Sequence, residues 1–508
     1  MLGRAEGEVL TESSLKQIHA FFNPSSVAVV GATKKINKAG HVIFKNFVEN
    51  KRRGVFKGKI FPVNPHEDSI LGFQCYSSVT KIPGELDLVV VVVPANIVPD
   101  IIEDATSKKV KAVAIITSGF SEVGNFETEN KIVTVAKKAG IRVLGPNCLG
   151  VYDSRTGVDM LFLPETKILT TGDEVIATPR PIPGNIAIVT QSGAFGVSAL
   201  DYLAGLQTGV SKFVSFGNKC DVNEAEMLHY LLYDKETKSI LLYVEDIKSG
   251  REFLKVAKEV TEKKPIVALK TGRREAGARA AASHTGAIAG SDRIYDAVFL
   301  QTGIFRAADM DEFFHAGKAL ATQLPAVGKN VGIITDAGGP GIMAVDECEL
   351  KGLTVNRFSK ITMAKFERLK IEGKLPKFAT NLNPVDITGS GTSEMFVLAA
   401  ETLFQDPEIY GIILLGLHHL PELQEDYVDK VAEVANKYDK PIVACDIGET
   451  EMALQTRLRF DKLGIPAYSS PEDAARAMNA LVKYGLYLKK SKCLKDYVQR
   501  FLQSKGKR

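Results

Sequence analysis

A stretch of small residues around His284 is the part of this sequence best suited to carry chemistry. Between Ala276 and Gly290 nearly every residue is Ala, Gly, Ser or Thr, and His284 is the one imidazole. Small residues let a loop approach another surface closely and move. A neutral imidazole nitrogen is a good nucleophile toward phosphorus near pH 7. The stretch therefore predicts a phosphoryl carrier, and an inert surface-loop histidine is the open alternative.

A phosphoryl-carrying imidazole needs its second nitrogen held by an acceptor, and Glu245 is the candidate. It follows the apolar run 240–244, a predicted buried strand where a carboxylate has no packing reason to be. A solvated acid is the alternative. Ser192, Gly193 and Ala194 follow another predicted strand and open a helix, whose free N–H groups and positive dipole favour a phosphate. The Ser192 hydroxyl can add one donor.

No metal site or disulfide framework is predicted. The six cysteines stand at 75, 148, 220, 348, 445 and 493, and no two have CxxC spacing. Cys148 has no basic neighbour in sequence to lower its pKa, so it is interpreted as a packed small residue. His418 and His419 are adjacent in sequence, and adjacent side chains on a strand would point to opposite faces, so this pair is not expected to hold a metal.

Short apolar runs alternate with amphipathic stretches through most of the chain. Near-continuous Val and Ile, rather than strict alternation, is typical of parallel sheets covered by helices on both faces. The predicted strands are 27–30, 59–63, 88–93, 112–116, 142–144, 185–190, 212–216, 240–244, 266–270, 303–306, 331–335, 353–355, 411–415 and 442–445.

These elements predict three doubly wound α/β domains, at residues 20–152, 185–325 and 328–487. The first 20 residues are interpreted as a polar lead-in, and Lys489–Arg508 as a solvated basic tail. Residues 154–184 carry four prolines and are interpreted as a connector or a surface excursion. In such sheets ligands bind at the carboxyl ends of strands.

The first predicted domain has a nucleotide-type opening. Gly31, Ala32 and Thr33 follow a buried strand, and glycine lets backbone approach a phosphate. The next strand ends at Asn64-Pro65, where an NAD enzyme would usually place an acid for the ribose. The neutral Asn64 and three nearby lysines favour a phosphate-rich adenosine such as coenzyme A. An unliganded turn with solvated lysines is equally open.

Three further segments in this domain carry turn residues at predicted strand ends. They are Val93-Pro94, Ser118-Gly119 and the run Gly145–Gly150, which contains Asn147. Together they are expected to form the rim of one crevice.

Composition limits the class of protein. The net charge is +4 on 64 basic and 60 acidic residues, too balanced to indicate nucleic-acid binding. The N-terminus has no apolar signal region and the longest apolar run is too short to cross a bilayer. Scattered cysteines fit a reducing cytosol, so a cytoplasmic location without a membrane partner is expected.

From about Phe21 to about Leu488 the sequence resembles the alpha subunit of archaeal ADP-forming acyl-CoA (acetyl-CoA) synthetases, relatives of succinyl-CoA synthetase. The motifs that carry the resemblance are Asn23–Ala32, Gly145–Gly150, Gln191–Ala194, Gly217-Asn218-Lys219 with Asp221, and Ala281–Ala287 with Ala289–Asp292. The resemblance implies a Rossmann-like CoA-binding domain followed by two flavodoxin-like domains.

The resemblance also implies roles for individual residues. His284 matches the family's phosphohistidine, Glu245 the glutamate that holds it, and Ser192, Gly193 and Ala194 the helix start that meets the phosphate. The residues that match the CoA pocket are Gly31, Ala32, Thr33, Asn64, Pro65, Val93, Pro94, Ser118, Gly119 and Asn147.

The family couples acyl-CoA, phosphate and ADP to acid, CoA and ATP. It needs an ATP-grasp module to bind ADP or ATP with Mg, so the resemblance implies a separate beta subunit and an alpha2-beta2 heterotetramer. Acetate, branched-chain, aryl and hydroxy acids all fit as substrates. A CoA-binding acyl-sensing or regulatory protein with the same fold is one alternative, and an NAD-dependent oxidoreductase is another.

Overall fold

The computed structural model describes residues 12–277, 279 and 291–506 of the 508-residue chain. His284 and residues 280–290 around it lie outside the described residues. By their contacts the residues fall into two compact units. The first is Met1–Val260 with Ala268–Val298, and the second is Thr261–Val267 with Phe299–Arg508.

The first unit opens with a five-stranded parallel sheet. Its strand order is β2-β1-β5-β6-β7, and β1, β5 and β6 are buried along their whole length. This is the expected result of continuous apolar runs between helices. The strands are β1 (Ser26–Val30), β2 (Lys59–Val63), the small β3 (Ser69–Ile70) and β4 (Phe73–Gln74) pair, β5 (Leu88–Val91), β6 (Ala112–Ile115) and β7 (Arg142–Leu144). The helices are α1 (Glu12–Phe22), α2 (Ala39–Arg52), α3 (Val98–Ser107) and α4 (Phe126–Lys138).

A second sheet lies mostly in the same unit. Its strands run in the order β15-β14-β12-β13-β8-β9, with β12 parallel to β13 and β14 while β8 runs antiparallel to β13. The strands are β8 (Gly150–Asp153), β9 (Val158–Asp159), the hairpin β10 (Thr166–Ile168) and β11 (Glu174–Ile176), β12 (Pro183–Thr190), β13 (Val210–Ser215), β14 (Ser239–Val244) and β15 (Ile266–Lys270). The helices are α5 (Gly193–Gly205), α6 (Glu224–Tyr233), α7 (Gly250–Thr261) and α8 (Asp292–Thr302).

The second unit is built on a five-stranded parallel sheet of order β18-β17-β19-β20-β21. Its strands, after the short β16 (Phe305–Arg306), are β17 (Val331–Thr335), β18 (Val385–Asp386), β19 (Gly411–Leu415), β20 (Ile442–Cys445) and β21 (Ala467–Tyr468). The helices are α9 (Met310–Thr322), α10 (Gly338–Leu350), α11 (Lys360–Ile371), α12 (Ser393–Phe404), α13 (Tyr427–Ala435), α14 (Glu451–Lys462), α15 (Pro471–Lys490) and α16 (Leu494–Ser504).

Three expectations about individual segments are wrong. The polar lead-in ends in helix α1, whose Phe21 and Phe22 are fully buried. The basic C-terminal tail contains α16, which buries Tyr497 and Phe501. Both segments form amphipathic helices. Their many charged residues suggested solvated segments, although one face of each helix is apolar and buried.

The predicted strand 353–355 is also absent. Thr354 makes one isolated bridge to Asn330, and the side chain of Asn330 then takes the next backbone donor, Asn356 N–H, at 3.0 Å. A side-chain acceptor thus ends the pairing after one residue. Among the described residues, no helix combines the length and apolarity needed to cross a membrane.

Candidate functional site

The predicted CoA segments meet at one edge of the first sheet. Val30 is in register with both Val63 and Val91, so the loops after β1, β2 and β5 leave the sheet side by side. Gly31 has a φ of +93°, and a Cβ there would lie 2.3 Å from the Val92 carbonyl oxygen. Only glycine fits this turn without displacing the neighbouring strand.

Asn64 shapes this edge. Its Nδ2 donates to the Ala32 carbonyl at 2.8 Å, and its Oδ1 accepts from the His66 N–H at 2.9 Å. Among the lysines predicted to meet phosphates, Lys34 forms an ion pair with Glu67 at 2.9 Å. The neutral side chain that argued against NAD therefore fixes the loop that follows β1.

Backbone hydrogen bonds join the loop after β7 to the loop after β13. Asn218 N–H donates to the Pro146 carbonyl at 2.9 Å, and Cys220 N–H donates to the Gly145 carbonyl at 3.0 Å. Gly217 has a φ of +58°, and a Cβ there would lie 2.2 Å from the Asn147 carbonyl oxygen. This contact places Asn147, which follows the last strand of the first sheet, at the edge of the second sheet.

Gly217→Ala is expected to destabilise the protein by about 2–3 kcal/mol, because the new methyl group must displace the 146–147 backbone and φ is strained. Thermal unfolding of the full chain measures this. Gly205→Ala is the matched control, since a Cβ at that helical position meets nothing within 4 Å. An unchanged melting temperature for Gly217→Ala would contradict the assigned junction.

One cavity of about 470 Å³ lies where the two sheet edges meet. It is lined by two of the predicted CoA-binding residues, Ser118 and Asn147. It is also lined by four residues predicted to act in phosphoryl transfer, which are Ser192, Gly193, Ala194 and Glu245. Its other lining residues are Ile116, Ser121, Glu122, Cys148, Leu149, Phe162, Leu163, Gln191, Val197, Gly217, Asn218, Asp246 and Lys248. Gly31, Ala32, Thr33, Asn64, Pro65, Val93, Pro94 and Gly119 do not line this cavity.

Helix α5 begins inside the cavity. Ser192 is its N-cap, and the Ser192 hydroxyl oxygen accepts from the Phe195 N–H at 3.2 Å. The 13-residue helix directs its positive dipole end and its first N–H groups at the cavity. The Ser192 hydroxyl proton can still be donated. This geometry suits an anion such as phosphate.

A hydrogen-bond network holds the backbone that carries Glu245. The Gln191 Oε1 accepts from the N–H groups of Glu245 at 2.9 Å and Asp246 at 3.1 Å, and its Nε2 donates to the Asp246 carboxylate. The buried Lys219 ammonium lies 3.0 Å from Asp246 Oδ1 and 3.3 Å from Glu224 Oε2. Burial alone would raise the pKa of Asp246, but Lys219 and Gln191 outweigh it and lower that pKa.

Lys219→Met is expected to cost about 3–5 kcal/mol at neutral pH, because it leaves Asp246 and Glu224 buried without their cation. In the folded wild type the pKa of Asp246 is lowered, so its ion pair contributes fully to stability above the ordinary pKa of an aspartate. This contribution is lost as the pH falls below that ordinary value. The variant loses one of the groups that lower the pKa of Asp246, so this carboxylate takes up a proton at higher pH than in the wild type. Protonation relieves the penalty, and the stability difference shrinks toward acid pH. Denaturant unfolding at several pH values measures this. Lys235→Met, at an exposed lysine, is the control. A stability difference between Lys219→Met and the wild type that does not change with pH would contradict the prediction.

The sequence assigned no role to Gln191, Lys219 or Asp246, although it contained their motifs. Each lies beside a residue that was singled out, but their convergence requires the ends of β12, β13 and β14 to be adjacent. Phe162 and Leu163 were also missed, because they belong to the stretch interpreted as a connector. An apolar pair within a proline-rich stretch was the available signal.

Cys148 is a packed residue, as expected. It is buried, and burial raises the pKa of its thiol to about 12, far from a nucleophile's range. Glu122 lines the same cavity and is held ionised. Burial by itself would raise the pKa of Glu122. Hydrogen bonds from the Asn218 amide and from the N–H groups of Gly119 and Phe120 outweigh burial and lower this pKa.

The expectation that His418 and His419 point to opposite faces is wrong. Their ring centroids are 3.9 Å apart, because both residues lie in the loop after β19 and no longer follow the pleat. His418 Nδ1 lies 2.6 Å from Asp446 Oδ1. Within residues 12–277, 279 and 291–506, no group of three or more His, Cys, Asp or Glu is arranged to hold a metal ion.

Family models match the three sheets in chain order. Residues 25–154 match a CoA-binding domain, residues 183–320 a succinyl-CoA-ligase-like flavodoxin domain, and residues 331–486 a ligase-CoA domain. The fold and cavity thus define a ligase-type α/β protein with a CoA-binding domain at its start.

Two curated relatives are similar over most of the chain. The alpha subunit of acetate–CoA ligase [ADP-forming] I from Pyrococcus furiosus is 39% identical, and the match covers 94% of this chain and 99% of the relative. The ADP-forming acetate–CoA ligase of Methanocaldococcus jannaschii is 38% identical over 91% of this chain, but the chain spans only 62% of that relative's length. The chain belongs to the ADP-forming acyl-CoA synthetase family.

A solved structure agrees. Acetyl-coenzyme A synthetase 1 of Ca. Korarchaeum cryptofilum, in complex with phosphate and ADP, superimposes with a TM-score of 0.82 and 33% identity. The match covers 96% of this chain and 99% of that one. The predicted succession of a CoA-binding domain and flavodoxin-like domains is confirmed by these comparisons.

Proposed function

We propose that this chain is the CoA-binding, phosphohistidine-carrying alpha subunit of a nucleoside-diphosphate-forming acyl-CoA synthetase. The main observation behind this proposal is that one cavity is lined both by Ser118 and Asn147 of the CoA-binding domain and by Ser192 and Glu245. A thioester and a phosphate can meet there.

The proposed reaction has three steps. An oxygen of inorganic phosphate attacks the thioester carbonyl, the C–S bond breaks, and the thiolate takes the proton released by phosphate. The acyl phosphate then transfers its phosphoryl group to a nitrogen of His284, and the acid leaves as its carboxylate. Finally ADP accepts the phosphoryl group from His284 and becomes ATP.

The polar groups around the start of α5 and around Glu245 have roles in these steps. The first N–H groups of α5 and the Ser192 hydroxyl stabilise the negative charge on the transferring phosphoryl group. Glu245 accepts a hydrogen bond from His284, keeps the attacking nitrogen's lone pair free, and stabilises the positive charge that forms. The Gln191 amide and Lys219 hold Glu245 in place through its backbone and Asp246.

Coenzyme A is proposed to extend from the cavity along the edge of the first sheet. Ser118 and Asn147 would contact its thiol end. The more distant contacts would come from Gly31, Ala32, Thr33, Asn64, Pro65, Val93, Pro94 and Gly119.

The nucleotide is proposed to bind elsewhere. An ATP-grasp beta subunit would hold ADP or ATP with Mg, in an alpha2-beta2 heterotetramer located in the cytoplasm. The Pyrococcus relative's description as an alpha subunit supports a partner chain. A purely regulatory CoA-binding protein is disfavoured, because the curated relatives are ligases.

Phosphoryl labelling tests the proposal. The full chain, with and without a co-expressed ATP-grasp partner, is incubated with labelled phosphate and a panel of acyl-CoA thioesters. We expect acid-labile, base-stable label on the protein that depends on the thioester. Absence of label in every combination would contradict the phosphohistidine mechanism.

A further inference from the structure

The connector segment supplies one wall of the cavity. Phe162 and Leu163 follow β9 and line the cavity together with Ile116, Leu149 and Val197. The polar residues of the phosphoryl site line the same cavity, so an acyl group bound there would contact both kinds of surface. Nothing in the phosphoryl-transfer steps requires these apolar side chains.

This wall is built into the fold. Asn46 Nδ2 donates to the Leu161 carbonyl at 2.8 Å, and Leu161 N–H donates to Asp159 Oδ1 at 3.0 Å. Arg180 reaches back from the far side of the hairpin. Its Nε donates to Asp159 Oδ2 at 2.7 Å and its Nη2 to the Leu163 carbonyl at 3.1 Å. Phe162 is thus held between two anchored residues.

The charges around the cavity disfavour a second carboxylate on the substrate. The carboxylates of Glu122, Glu245 and Asp246 line it, whereas Lys248 is the one cationic residue among its described lining residues. The Lys248 ammonium is exposed and donates to the Asn218 carbonyl at 3.0 Å. A dicarboxylic acyl group would place its free carboxylate near acids without a matched cation.

We propose that Phe162 and Leu163 select the acyl group, that Arg180 positions them, and that the preferred substrate is a monocarboxylic acid with an uncharged apolar tail larger than a methyl group. The proposal rests on the proposed function. A branched-chain or aryl acyl group would bury apolar surface against this wall, whereas acetyl is too short to do so and succinyl carries an unpaired charge.

Binding measurements test this independently of turnover. The full chain is titrated calorimetrically with CoA, acetyl-CoA, isovaleryl-CoA, phenylacetyl-CoA and succinyl-CoA. We expect the isovaleryl or phenylacetyl thioester to bind about tenfold more tightly than acetyl-CoA. Succinyl-CoA should bind no better than CoA. Tightest binding of succinyl-CoA, or equal binding of all thioesters, would overturn the proposal.

Variants assign the wall. Phe162→Ala should remove the roughly tenfold preference and leave CoA affinity unchanged, and Phe162→Leu should retain part of it. The exposed Phe126→Ala is the matched control. Equal weakening of CoA and every thioester by Phe162→Ala and by Phe162→Leu would overturn the assignment.

Arg180→Gln should lower the same affinity ratio, with Arg180→Lys partly restoring it, because the fork of donors to Asp159 and Leu163 is then incomplete. Arg155→Gln, at an arginine that pairs with Glu236, is the control. An unchanged ratio in Arg180→Gln would overturn its positioning role. Failure of phosphoryl labelling would contradict only the proposed function. The affinity ratios would still test whether Phe162 and Leu163 select the acyl group.

Discussion

Replacing His284 by Ala should abolish protein phosphorylation and reduce turnover by at least about a thousandfold, because the imidazole is the proposed covalent carrier. Without it the acyl phosphate has no acceptor in this chain. Binding of CoA should persist, since the predicted CoA residues belong to other loops. Labelled phosphate with the preferred thioester measures the first effect, and calorimetric titration with CoA measures the second.

The exposed His419 provides the matched control, because His419→Ala removes an imidazole of the second unit. We expect His419→Ala to label like the wild type. His284→Asn keeps a polar side chain of similar size and should behave like His284→Ala. Full label on either His284 variant would show that another residue carries the phosphoryl group.

Glu245→Gln should slow phosphorylation of the protein by about 100-fold or more, because the amide cannot stabilise the positive charge on the imidazole. The substitution keeps the size of the side chain. It also leaves the backbone bond from residue 245 N–H to Gln191 Oε1 intact. Single-turnover labelling with rapid quenching measures the rate, and CoA affinity should not change.

Glu127→Gln is the control for this substitution, since Glu127 is exposed on helix α4 and does not line the cavity. A Glu245→Gln enzyme with a normal labelling rate would remove Glu245 from the mechanism. Loss of CoA binding in the same variant would instead make Glu245 a structural residue.

Local sequence signals were sufficient for most of the buried parallel strands, but they did not predict the sheet strands β8, β9, β18 and β21. The run Val27–Val30 lies in β1, and Leu88–Val93 and Val331–Thr335 likewise contain observed strands. Continuous apolar runs bounded by glycine or proline leave few alternatives to a buried parallel strand. The division into three domains at residues 20–152, 185–325 and 328–487 stays a prediction.

Segments whose structure depends on distant partners were not predictable in this way. Whether 353–355 pairs with a strand depends on Asn330, whose side chain competes for the backbone. Helix α1 buries Phe21 and Phe22, but its short apolar stripe does not by itself reveal which part of the chain it packs against.

By itself the sequence determined the fold class, the family and the residues that could do chemistry, because these reside in short motifs such as 191–194 and the stretch around His284. Only the tertiary structure decided that Asn147 and Glu245 line the same cavity. It did so through a backbone contact in which Gly217 must lack a side chain. The same holds for Phe162, which enters the cavity because Arg180 anchors its segment. Such convergence depends on contacts between residues far apart in the chain, and no local pattern encodes it.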